Sequence, residues 1–162
     1  CILIGSLSFS SIIIFQENNW IIFYPVLGQL SFIIFMISAL AEGNRIPFDL
    51  SEAESELISG YTTEYSGIKF ALFYLAEYVH LFGICVLASI IFFGGPNGPF
   101  FTSNILIVIK ALMFFTLILF IRWSFFRVRI DQLLKFNWIK LIPLSFIGLL
   151  LACIVKYYLD FN

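Results

Sequence analysis

Long apolar runs separated by polar breaks make up the chain, and one of those breaks is far longer than the rest. Residues 21–40 form the first run that matches the roughly 20 apolar residues a helix needs to cross a bilayer. Further runs cover residues 70–93, 103–123 and 138–159. Residues 1–15 are apolar but short of a full crossing, and they have neither the basic start nor the cleavage site of a signal peptide. They predict a partial span. Pro25, Gly28 and Pro143 fall inside predicted spans, where neighbouring helices can satisfy the backbone groups they free. Residues 16–20 predict a turn with Trp20 as an interfacial anchor, and Gly94-Gly95-Pro96-Asn97-Gly98-Pro99 predicts another. The expected fold is all-α: a polytopic transmembrane helical bundle of about four full spans plus a partial N-terminal span, forming a single membrane domain over residues 1–162.

The long break is an acidic loop at residues 42–69. It holds Glu42, Asp49, Glu52, Glu54, Glu56 and Glu64, against Arg45 and Lys69. Its internal pattern predicts order. Arg45 is spaced to pair with Glu42 or Asp49 on helical turns, and Pro47 drives Ile46 toward extended geometry. Ser51 and Glu54 form a capping box for a short helix over residues 52–59, and Gly60 ends it. Carboxylates crowded beside a bilayer are pushed toward neutral titration by desolvation and mutual repulsion, which suits them to pass protons.

Charge elsewhere is sparse and segregated. Arg122, Arg127, Arg129, Lys135 and Lys140, with Asp131, make residues 122–140 a basic loop. Counting spans puts it on the same side as the acidic loop, and the connections on the other side, residues 16–20 and 94–102, carry no Lys or Arg. By the positive-inside rule both charged loops face the matrix or cytoplasm. Within predicted spans, Glu77 and His80 lie three apart on one helical face, and Lys110 sits two turns into the third span. A mid-helix carboxylate costs roughly 2.5–3.5 kcal/mol on insertion scales, so Glu77 reads as a proton-relay group or a paired structural acid. His80 reads as a hydrogen-bond partner, with relay as the sharper alternative. Lys110 either snorkels to the near interface or is buried with the acids.

Composition agrees: 61% of the 162 residues are hydrophobic, 12% are charged, and mean hydropathy is +1.02, outside the soluble range. The net charge of −1 argues against nucleic-acid binding. Abundant Phe and Ile fit AT-rich coding, as in many organelle genomes. Cys1, Cys85 and Cys153 are far apart in apolar surroundings and read as buried thiols. No Gly-rich nucleotide loop, metal-ligand cluster or nucleophile with an adjacent base is present in the sequence, so no metal site is expected.

The run AEGNRIPFDLSEAESELISG at residues 41–60 closely resembles the signature loop of the subunit 1 family of proton-pumping NADH:quinone oxidoreductase, respiratory complex I. YSGIKFALFYLAEY at residues 65–78 continues the likeness, and FIRWSFFRVRIDQLL at residues 120–134 looks like the family's last basic loop. Two positions depart from the pattern and bear on loop shape: Phe126 stands where the family usually has Pro, and Ile130 where it usually has an aromatic residue.

The resemblance implies a membrane-arm subunit that lines the quinone tunnel and couples quinone reduction to proton translocation. Its expected relay acids are Glu42, Asp49, Glu52, Glu54, Glu56, Glu64 and Glu77. Arg45, Phe48, Asp49 and Arg122 are expected at the quinone cavity, and Arg127, Arg129 and Asp131 at the peripheral-arm contact. Ubiquinone is the implied substrate, with FMN and iron–sulfur clusters in partner subunits. The implied partners are the quinone-site peripheral-arm subunits, the antiporter-like membrane subunits, and a separate chain with the family's preceding helices if the subunit is made in two pieces. The membrane is the inner mitochondrial one if the chain is organellar and the bacterial plasma membrane otherwise, with both charged loops on the matrix side in the first case. The acidic loop is expected to be covered by a partner, because salt screens exposed charges within about 8 Å. The same features also fit the homologous subunit of a membrane-bound hydrogenase or plastid-type ferredoxin-dependent dehydrogenase, a docking scaffold, or an ion carrier using Glu77, His80 and Lys110.

Overall fold

The computed structural model describes residues 3–17, 19–24, 26–43, 47–48, 65–98 and 103–161. The long elements there are helices: α1 (Phe9–Phe15), α2 (Leu27–Glu42), α3 (Ile68–Phe93), α4 (Asn104–Ser124), α5 (Ile130–Phe136) and α6 (Ile142–Phe161). Among the described residues three helices are long and apolar enough to cross a membrane: α3, α4, and the continuous run Ile130–Tyr158 that joins α5 to α6. With a rise of about 1.5 Å per residue, the 26 residues of α3 reach about 39 Å and the 16 of α2 about 24 Å.

The first expected span is therefore shorter than its apolar run. Ile21–Phe23 is a 3-10 turn, and α2 opens only at Leu27. Val26, next after Pro25, takes φ +64° and ψ −55°, a backbone conformation that β-branched residues rarely adopt, and this separates turn from helix. Gly28 is then needed for contact: a Cβ there would stand 2.0 Å from the Ile21 carbonyl oxygen. The N-terminal partial span is also reduced, to the seven residues of α1. Gly5 takes positive φ, and the Ser8 hydroxyl accepts the Ser11 N–H as an N-cap, so the helix starts there.

The last span differs in the other direction. It begins at Ile130, inside the expected basic loop, leaving residues 125–129 as the irregular link after α4. Asn137–Leu141 winds as π-helix just before Pro143. Proline cannot donate to the carbonyl four residues back, and its ring crowds that group. The wider turn carries the helix through.

The core lies where α2, α3 and α4 meet. Leu81, Cys85, Ala88 and Phe92 form one stripe of α3, facing Ala111, Phe114 and Ile118 of α4 and Met36 and Leu40 of α2. Cys85, Ala88 and Ala111 are almost fully buried, and such small side chains let the α3 and α4 backbones approach closely. Phe32, Phe93 and Phe114 pack edge-on or tilted around them, with ring centroids 5.1–5.9 Å apart. No residue among those described in α5 or the π turn is buried, and α6 packs chiefly on α2, where Gly148 leaves room for Leu30. Cys153 on α6 is accordingly exposed, against the expectation of a buried thiol; Cys85 is buried as expected. Cys1 lies outside the described residues.

Candidate functional site

The two ends of the bundle carry different polar constructions. At the end formed by residues 16–20 and 94–98, side chains complete helix termini. The last four carbonyls of an α-helix have no partner within the helix. Here Gln16 Nε2 donates to the carbonyls of Ile90 and Ile91 at 3.1 and 3.0 Å, and its Oε1 accepts the Ile21 N–H. Lys110 Nζ donates to Phe93 O, Gly95 O and Asn97 O at 2.7, 2.9 and 2.7 Å. The ammonium also stands 4.8 Å from the Trp20 ring centroid. Asn97 Nδ2 reaches Ile13 O across to α1. Gly94 ends α3 with φ +68°, and a Cβ there would lie 3.2 Å from the Trp20 ring. Lys110 is thus a C-terminal cap on α3, placed where a cation suits the helix dipole, and its acceptors among the described residues are carbonyls. Among the described residues its partners are thus these carbonyls and not the acids of the other expectation.

The opposite end holds the expected site residues that the structure describes. Glu42 closes α2 and is exposed. His80 Nε2 of α3 stands 3.7 Å from Glu42 Oε1, so the histidine's contact is across to α2. Glu77, one turn earlier on α3, is half-buried, and so is Arg122 in the last turn of α4. Pro47 is buried, and Phe48 packs against the α2–α3–α4 core. The Val128 N–H donates to Pro47 O at 3.0 Å, which ties the segment after α4 to the start of the acidic segment. Arg127, Arg129 and Asp131 are exposed beside that tie. Arg45, Asp49, Glu52, Glu54, Glu56 and Glu64, with the expected helix over residues 52–59, lie outside the described residues. Among the described residues no three His, Cys, Asp or Glu side chains come together as a metal site.

Two clefts flank α2. One, of about 490 Å³, lies between α2, α6 and the C-terminal part of α3, and its walls are mainly apolar, with Leu30, Ile34, Phe92 and Leu149 among them. The other, of about 630 Å³, opens between α2 and α3 and takes in Glu42 and His80. Phe35 and Ser38 line both.

The family model for NADH dehydrogenase matches residues 1–153. The chain belongs to the NADH dehydrogenase family. Within this family it is 44% identical over 159 residues to a NADH-quinone oxidoreductase subunit of Bacillus thuringiensis, and 45% identical over the same length to the corresponding subunit of Bacillus cytotoxicus. The Bacillus cereus counterpart is 44% identical. Each alignment covers 96% of this chain and 47% of the relative, so the chain spans about half the length of the curated relatives it matches. These relatives are bacterial.

For this NADH dehydrogenase family member, the resemblance read from the signature loop and the all-helical membrane architecture both hold. Reading the sequence missed Gln16 and Asn97 as structural polar groups. Their signal was faint: a lone amide beside an apolar run, and an asparagine inside a Gly/Pro turn.

Proposed function

We propose that this chain is part of the membrane subunit of proton-pumping NADH:quinone oxidoreductase that lines the quinone tunnel and couples quinone reduction to proton translocation. Family membership carries the reading, and the layout of the chain supports it. The acids cluster in one segment and on the adjoining helix, while the rest of the chain is an apolar bundle. An isoprenoid quinone needs apolar walls for its tail, and its reduced headgroup needs protons. Ubiquinone is the substrate in this reading, and FMN and the iron–sulfur clusters belong to partner subunits.

Glu42, Asp49, Glu52, Glu54, Glu56, Glu64 and Glu77 act as the proton-relay groups. Arg45, Phe48, Asp49 and Arg122 border the quinone cavity; Arg127, Arg129 and Asp131 meet the peripheral arm. A partner covers the acidic segment, because exposed charges would be screened within about 8 Å. Moving one charge against 100 mV requires about 2.3 kcal/mol, so coupling needs several concerted changes per turnover. The remaining partners are the peripheral-arm quinone subunits and the antiporter-like subunits. Both charged segments face the matrix in an inner mitochondrial membrane, or the cytoplasm in a bacterial plasma membrane.

The test is Glu56→Gln and Glu77→Gln in the assembled complex, with quinone reduction and proton uptake read together. Slowed or uncoupled turnover in a complex that still assembles is expected. Unchanged turnover and pumping in both variants would end the relay reading. Blue-native electrophoresis with in-gel NADH oxidation checks the assignment upstream: the chain should run in the active band.

A further inference from the structure

The cleft between α2 and α3 has a polar mouth and apolar walls. Glu42 and His80 are the titratable groups in its described lining, Ser38 adds a hydroxyl, and Phe35, Ile84 and Leu87 supply apolar surface. Its volume of about 630 Å³ is room for several waters, which require polar partners such as these. Gly83, one turn beyond His80, lines the cleft with empty space beside it: a Cβ there would meet nothing within 4 Å. The two side chains come from different helices, yet Nε2 and Oε1 are 3.7 Å apart. That is roughly 0.5 Å beyond hydrogen-bond range, a gap closed by a small rotamer change or by one bridging water.

We infer that His80 is the proton-carrying partner of Glu42, and that the α2–α3 cleft is the water path by which this pair exchanges protons. The inference rests on the relay role proposed above for Glu42 and adds a histidine to what had been a series of carboxylates. In the transfer, the Nε2–H bond of an imidazolium breaks and an O–H bond forms on the Glu42 carboxylate. This leaves a neutral imidazole protonated at Nδ1 and a neutral carboxylic acid. Hydronium in the cleft returns a proton to Nε2. Imidazole suits the step because its ordinary titration lies nearest neutrality of all side chains. The other charged groups that the described parts of α2, α3 and α4 bring to this end are Lys69, Glu77 and Arg122. Glu77 is the next acid, one helical turn away along α3.

The experiment uses the assembled complex in proteoliposomes, with His80→Gln, Gly83→Leu and Glu42→Gln compared from about pH 6 to about pH 8. Proton translocation during NADH-driven quinone reduction is the readout. His80→Gln should lower it about tenfold and flatten its pH profile, in keeping with loss of a general acid–base group. Gly83→Leu, which leaves both titratable side chains in place, should slow translocation by filling the cleft. If Glu42→Gln impairs pumping while His80→Gln keeps both rate and pH profile, the histidine has no part in the transfer and the relay reading of Glu42 survives. If Glu42→Gln is also silent, the relay reading falls and the inference falls with it. Less assembled complex with an unchanged pH profile would make His80 a structural tie and overturn the inference. Should His80→Gln prevent assembly, unchanged pumping in Gly83→Leu overturns the water path on its own.

Discussion

The two ends of the bundle solve opposite problems with similar residues. At the turn end, Gln16 and Lys110 reach carbonyls in the last turn of α3 and just beyond it that lie 13 to 75 residues away in the chain. At the charged end, Glu42 and His80 remain more than half exposed and face an open cleft. A polar group whose hydrogen bonds are all met by backbone is hard to move and hard to titrate. One left beside water can change its charge. The contrast therefore separates a terminus whose polar groups hold three helices in register from one whose described polar groups face a cleft.

Substitutions at the turn end should cost stability and those at the charged end should not. Gly28→Ala should have the largest effect. Its Cβ would stand 2.0 Å from a backbone oxygen, so the Ile21–Phe23 turn must shift, and loss of assembled protein on a native gel is the expected result. Lys110→Met comes next. It strips charged hydrogen bonds from the carbonyls of Phe93, Gly95 and Asn97 and should cost about 3 kcal/mol, read as a fall in thermal stability of the complex, with turnover per assembled complex preserved. A large turnover defect there would break the division between the ends. Gln16→Leu should cost about 1–2 kcal/mol by the same assay, since it frees two carbonyls and one N–H. Glu42→Gln should be the mildest for stability, within about 0.5 kcal/mol, because its contact with His80 is solvent-exposed. Its defect should appear in proton translocation instead.

Much of the architecture was legible because a bilayer imposes a one-dimensional code. A segment crosses if it is long and apolar, and charges collect where it emerges. That logic located α3 and α4 nearly to the residue and marked the turn that the structure describes over residues 94–98. It failed where local backbone chemistry overrides hydropathy. Pro25 and Val26 precede a late start to α2, and Ser8 starts α1 close to its end. The π turn before Pro143 lets the last helix continue back into residues that look like a polar loop. The site divides similarly. The acids and the family signature are linear features that the sequence displays directly.

Side-chain pairing across helices is different. The spans are apolar almost all round, so their sequences do not say which face meets which neighbour. By sequence spacing, His80 belongs with Glu77; packing brings it within 3.7 Å of Glu42. Lys110 reads equally well as snorkelling or as paired with acids, and the fold sets it on the α3 carbonyls. Nothing in residues 125–129 points to Pro47, yet the Val128 N–H finds its carbonyl. The sequence by itself determined an all-helical membrane protein, its family, and the end at which its charge gathers, because hydrophobicity and motif are read along one chain. Only the tertiary structure decided which polar groups seal helix termini and which face a cleft, because that depends on distances between segments remote in sequence.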